Sequence, residues 1–224
     1  MIEAQKAKLR HRWQEQMKEI THSLAWYLTS HMIFREVQSI VQANQKIQSP
    51  PLFYKWLKRN YGDSVAVGIR KLIDKGEGTD SLRNLIERIK KHPDAITRDY
   101  FVSCYDKWLQ KDGVADEEFD KFTNKGDMEL SVGKLDSDIQ QLDKATRIIK
   151  DYTDKWVAHL DKNRKKQPIP TIEDIDNALQ DIDEVFRKYH HLLLGSNMTA
   201  MPIIQSDWRK PLRHAWIKDD EQKE

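Results

Sequence analysis

The sequence predicts an all-α bundle of long antiparallel helices with an irregular C-terminal tail. Three observations carry this: apolar residues recur three and four positions apart over most of the chain, no segment alternates as a half-buried strand would, and the connections between the periodic runs are short. No repeat at a fixed period appears.

The first run extends from Lys6 to Ile47, with Trp13, Met17, Ile20, Leu24 and Tyr27 continuing into Ile33, Val37 and Ile40. It is one very long helix or two, and Ser49-Pro50-Pro51 ends it, because proline disfavours helix in the residue before it. Leu52 to Ile73 follows, with Phe53, Trp56 and Leu57 expected against a core and Gly62 as a point of division. Gly76-Glu77-Gly78 stops it. Thr79-Asp80 is expected to cap a short helix through Leu82, Leu85 and Ile89, and Pro93 to start the next, through Ile96, Tyr100, Cys104 and Trp108. A short acidic piece covers Ala115–Phe122. Leu135 to Leu160 shows the clearest periodicity and is expected to be one helix. After the extended linker Gln167-Pro168-Ile169-Pro170, Thr171-Ile172-Glu173-Asp174 has the form of a capping box for a last helix through Ile175, Leu179, Ile182, Phe186 and Tyr189. The proline breaks are short, so a single helical domain over residues 1–224 is expected, with the irregular tail at 195–224.

The chain has 224 residues, a third of them charged, and a mean hydropathy of −0.79. Seven Trp, seven Tyr and six Phe set it apart from disordered chains, which are poor in aromatics. The net charge of +2 conceals an asymmetry. Residues 1–60 hold ten Lys and Arg against four Asp and Glu, whereas residues 171–224 hold seven against eleven. Ends of opposite sign can attract each other within a fold or across a dimer, and a basic end can meet a polyanion. Cys104 is the only cysteine, which excludes an intrachain disulfide and points to a reducing compartment. No signal peptide and no apolar stretch near the ~18 residues of a membrane span are evident. A cytoplasmic protein without a membrane partner is expected.

Tyr152-Thr153-Asp154-Lys155-Trp156-Val157-Ala158-His159-Leu160-Asp161 is the most informative segment, and Lys162-Asn163-Arg164-Lys165-Lys166 follows it directly. A histidine beside a cation cluster is what acid–base chemistry on a phosphodiester needs. Imidazole titrates near neutral pH, and general acid–base catalysis is typically worth ~10²–10⁴-fold. Lys155 stands four residues before His159, one turn away on an α-helix, where it would offset charge on a phosphate. Asp154 and Asp161 would orient the imidazole.

This Lys-x-x-Ala-His-x-Asp ending resembles the signature helix of HEPN domains, particularly the abortive-infection HEPN-like proteins of prokaryotes. The likeness covers residues 135–194 and, more weakly, 60–90, where Val65-Ala66-Val67-Gly68-Ile69-Arg70-Lys71-Leu72-Ile73-Asp74 is similar to a further segment of the same relatives. The resemblance implies a helical bundle that forms homodimers with two signature helices facing each other. In active members it implies metal-independent endoribonuclease action in which a 2′-hydroxyl attacks the adjacent phosphate. It also implies a toxin or phage-defence role, with RNA and a cognate antitoxin or regulatory protein as partners and no cofactor. The active signature has an arginine with four to six residues between it and the histidine. Here those positions are Asp154, Thr153 and Tyr152. Lysine at 155 lacks the planar bidentate grip of arginine.

The expected site is therefore His159 as general acid and base, Lys155 on the phosphate, Asp154 and Asp161 as orienting groups, and Lys162, Arg164, Lys165 and Lys166 on the RNA backbone. The alternative is a catalytically inactive interaction or RNA-binding module that keeps the HEPN fold. Lys55-Trp56-Leu57-Lys58-Arg59-Asn60-Tyr61 interleaves aromatics with cations as single-strand binders do, and also as an amphipathic helix with a basic edge does. His190-His191 point about 100° apart on a helix and do not chelate. Cys104 is expected in the core. The histidines lack zinc-ligand spacing, and no metal site is expected.

Overall fold

The computed structural model describes residues 1–158, 162, 168–196, 198–201, 204, 206–214 and 216. Its described residues form helices and no strand. Helix α1, Glu3–Ala43, runs unbroken for 41 residues, and a 3₁₀ turn at Gln45–Ile47 follows it. The expected Trp13, Met17, Ile20 and Leu24 are buried, but beyond them Leu28 and Phe34 are the buried positions, while Tyr27, Ile33, Val37 and Ile40 are only partly buried. Helix α2, Leu52–Leu72, packs antiparallel along α1, pairing Tyr61 with Phe34 and Gly68 with Tyr27. Gly62 does not divide it.

Gly68 is required by that pairing. A β-carbon there would stand 2.6 Å from Tyr27 Cδ1 and 2.7 Å from Cζ, well inside van der Waals contact. Gly68→Ala is therefore expected to lower stability by roughly 1–3 kcal/mol, the usual range for overpacking, seen as a lower urea midpoint. An unchanged midpoint would mean that the helices separate freely.

Ser81, rather than Thr79-Asp80, caps α3, Leu82–Lys90, accepting a hydrogen bond from the Asn84 amide at 3.0 Å. The long helix expected from Pro93 is instead a 3₁₀ turn at Pro93–Ala95, α4 at Arg98–Ser103 and α5 at Lys107–Lys111. Thr97 caps α4, and both Cys104 and Trp108 are exposed rather than in the core. Helix α6, Val114–Asp120, follows Gly113, whose φ of +75° favours glycine. Arg98 gathers this region. It is buried and donates to the Asp127 and Asp116 carbonyls and to the carboxylates of Asp116 and Asp120.

The helix expected over Leu135–Leu160 is three pieces. Helix α7 covers Val132–Ala145, α8 covers Arg147–Tyr152, and Thr153–Val157 is a π-helical turn. Threonines mark both disruptions. Thr146 Oγ1 donates to the Leu142 carbonyl at 2.6 Å and Thr153 Oγ1 to the Ile149 carbonyl at 2.8 Å. Such bonds back to the preceding turn bend helices.

Helix α9, Ile172–Leu194, begins with the expected capping box of Thr171 and Asp174 and ends at Gly195, φ +70°. It runs antiparallel to α7, with Asp138 facing Lys188 and Tyr189 while Gln141 faces Asp181. It is also antiparallel to α1, with His31 on Asp176 and Gln14 on the Leu193 carbonyl. One continuous core joins α1, α2, α3, α7, α8 and α9. After α9 the described residues are irregular apart from a 3₁₀ turn at Lys210–Arg213. No helix among the described residues is long and apolar enough to cross a membrane.

Candidate functional site

The π-turn is the site's frame. In it the Ala158 amide donates to the Thr153 carbonyl, five residues back, at 2.8 Å. A π-turn holds one residue more than an α-turn, so side chains after it leave the seam that an α-helix would give them. Such turns concentrate at functional sites because they re-aim side chains at little cost to the fold. Tyr152 and Trp156 still share a face, their rings 6.4 Å apart and inclined by 25°.

Helix α2 holds the turn in place from one side. The Tyr152 hydroxyl donates to Asp63 at 2.6 Å. Burial, helped by Asp63, pushes the Tyr152 hydroxyl up to about 12, so it remains a donor. About two helical turns further on, Arg70 Nε donates to Asp154 Oδ1 at 3.1 Å, and Arg70 Nη1 donates to Asp74 Oδ2 at 3.1 Å. The resemblance names Arg70 and Asp74 together but gives them no role. The structure sets the Arg70 guanidinium on Asp154, where active signatures carry their arginine. Arg70 and Asp154 stand 84 positions apart in the chain, a pairing that no local pattern in the sequence reveals.

The expected site residues divide accordingly. Asp154 is engaged by Arg70. Lys155, half-buried, makes no ion pair among the described residues, and Lys162 is exposed. His159, Asp161, Arg164, Lys165 and Lys166 lie outside the described residues.

A second group lies at the middle of α2. His31 sits between Tyr61 and Asp176, Nδ1 towards the tyrosine hydroxyl and Nε2 towards the carboxylate. A carboxylate only accepts, so Nε2–H donates to Asp176 and Nδ1 of the neutral ring accepts from Tyr61. Burial lowers the His31 pKa from its ordinary 6.5, outweighing the upward pull of Asp176, which favours this neutral arrangement. Burial likewise raises the Tyr61 hydroxyl. Tyr61 stacks on Phe34 with centroids 3.8 Å apart. His190 and His191 both have partners: His190 is buried on the Ser196 carbonyl, and His191 faces Tyr105 and Glu118.

Phe53 and Trp56, expected in the core, are 59% and 57% exposed. Alongside them Lys55, Lys58 and Arg59 line one edge of a cleft whose far wall is the π-turn. Among the described residues no three His, Cys, Asp or Glu side chains gather as a metal site would need.

The bundle and the HEPN-type signature segment together define an abortive-infection protein of the HEPN class. The chain matches the HEPN_AbiU2 model, described as AbiU2, over residues 11–214, and it belongs to that family. No curated protein and no solved structure matches it.

Proposed function

We propose that this AbiU2-family protein is an RNA-directed defence effector that cleaves RNA without a metal ion. The observation that supports this reading is the Arg70 guanidinium on Asp154, with four residues between that position and His159 in the chain. Arginine offers a planar, permanently charged fork for phosphate, and lysine does not. His159 is the general acid and base, Arg70 and Lys155 offset charge on the phosphate in the transition state, and Asp154 and Asp161 orient the site. Lys162, Arg164, Lys165 and Lys166 hold the RNA backbone, so affinity falls steeply with salt. The active form is a homodimer. The exposed Leu52, Phe53 and Trp56 at the start of α2, with Trp216 edge-on to Phe53, support self-association. A toxin of this kind is held in check by a cognate antitoxin or regulatory protein.

The test is cleavage of total RNA and of a transfer RNA in EDTA by the wild-type protein and by His159→Ala. The expected result is cutting by the wild type and its loss in the variant, on the order of 10²–10⁴-fold. Cleavage by neither protein, or equal cleavage by both, overturns the catalytic reading and leaves a binding module.

A further inference from the structure

Between α2, the π-turn and the start of α9 lies a cleft of about 460 Å³. That volume falls in the range of roughly 300–1,000 Å³ typical of ligand sites. Its inner surface is aromatic and aliphatic: Tyr61, Tyr152 and Trp156 face Ile172 and Ile175. Its outer edge is cationic: Lys55, Lys58 and Arg59 are all exposed and all on α2. Lys55 and Lys58 make no ion pair among the described residues, and Arg59 reaches only Asp63, at 3.9 Å, with its side chain 84% exposed. An aromatic and aliphatic interior behind an exposed cationic edge is complementary to an unpaired base flanked by phosphates.

Two further features fit that occupant. The Tyr61 and Tyr152 hydroxyls are already committed, to His31 and Asp63, so the tyrosines offer the cleft ring surface rather than free polar groups. Ring surface holds any base, because every base has a π-face. Gly62 lies on the cleft wall in mid-helix, where glycine weakens a helix relative to alanine. Gly68 is explained by Tyr27, but nothing stands within 4 Å of the β-carbon position at Gly62. Packing among the described residues does not require that glycine, and the cleft beside it is open.

We propose that this cleft receives one unpaired base of an RNA strand, with the neighbouring phosphates on Lys55 and Lys58. The inference rests on the RNA reading above and adds to it a preference for single-stranded RNA over duplex, with little preference among bases. In a duplex each base is stacked and paired, and no single ring is free to enter.

The experiment measures anisotropy of a labelled 2′-O-methyl oligonucleotide, which lacks the 2′-hydroxyl needed for cleavage, alone and annealed to its complement. The proteins are wild type, Gly62→Phe, which fills open space on the cleft wall, and Lys55→Glu/Lys58→Glu, which changes only exposed side chains. Thermal unfolding of each variant checks that it is folded. The wild type is expected to bind the single strand at least about 10-fold tighter than the duplex, and each variant to lose roughly 10- to 100-fold. Equal binding of strand and duplex, or full affinity in the folded variants, overturns the cleft assignment. RNA cleavage by wild type and by Gly62→Phe alike would overturn it while sparing the RNA reading. Failure of the wild type both to bind and to cut RNA overturns both.

Discussion

Replacing Arg70 with alanine is expected to lower RNA cleavage by on the order of 10²–10³-fold while leaving the protein folded, as loss of one preorganised transition-state donor does elsewhere. The fold survives because Arg70, Asp74 and Asp154 are all partly exposed, and ion pairs of that kind contribute no more than about 1 kcal/mol. Arg70→Lys is expected to recover only part of the rate, since a point charge replaces a planar fork. The decisive variant exchanges the pair, Arg70→Asp with Asp154→Arg. It moves the guanidinium onto the signature segment, with four residues between it and His159. Recovery of most of the wild-type rate in the exchange would show that the site needs a guanidinium there and is indifferent to which helix carries it. Wild-type cleavage by Arg70→Ala would reduce the contact to a structural ion pair.

Arg98→Ala is expected to destabilise the fold by about 3 kcal/mol, at the low end of the range for breaking a buried charge cluster. The guanidinium satisfies two carbonyls and two carboxylates and lies 5.0 Å from the centre of the Phe119 ring. Its removal leaves those acceptors without their donor beneath α4 and α6. For a chain of this size the loss corresponds to a fall of roughly 6–12 °C in Tm. A melting temperature within a degree or two of wild type would show that water replaces the guanidinium without penalty.

The parts of this fold written in local chemistry were legible in the sequence. Thr171 and Asp174 cap α9 across three residues, whereas α1 ends at Ala43, short of the Ser49-Pro50-Pro51 stop expected from proline sterics. The buried stripe of α1 follows simple periodicity from Trp13 to Leu24 and departs from the expected positions after it. Periodicity alone misled at Leu135–Leu160, because a spacing of three and four continues across the breaks at Thr146 and Thr153. It misled again at Phe53, Trp56 and Cys104, since a stripe of apolar residues looks the same whether a core covers it or solvent does. Of the candidate site, Asp154 and Lys155 were expected from the signature segment, and the structure adds that Asp154 pairs with Arg70. Arg70 was quoted only as part of a likeness, and the His31–Tyr61–Asp176 chain joins residues 30 and 145 positions apart. Contacts at such separations leave no trace in a single sequence.

The π-turn at Thr153–Val157 also bears on how the signature can vary. A wider turn takes up one residue without lengthening the path between its ends by a full turn. A spacing of four, five or six residues between arginine and histidine then need not mean different geometries. Turn width acts as a slack variable that re-aims the side chains after it without resetting the register of the helix before it.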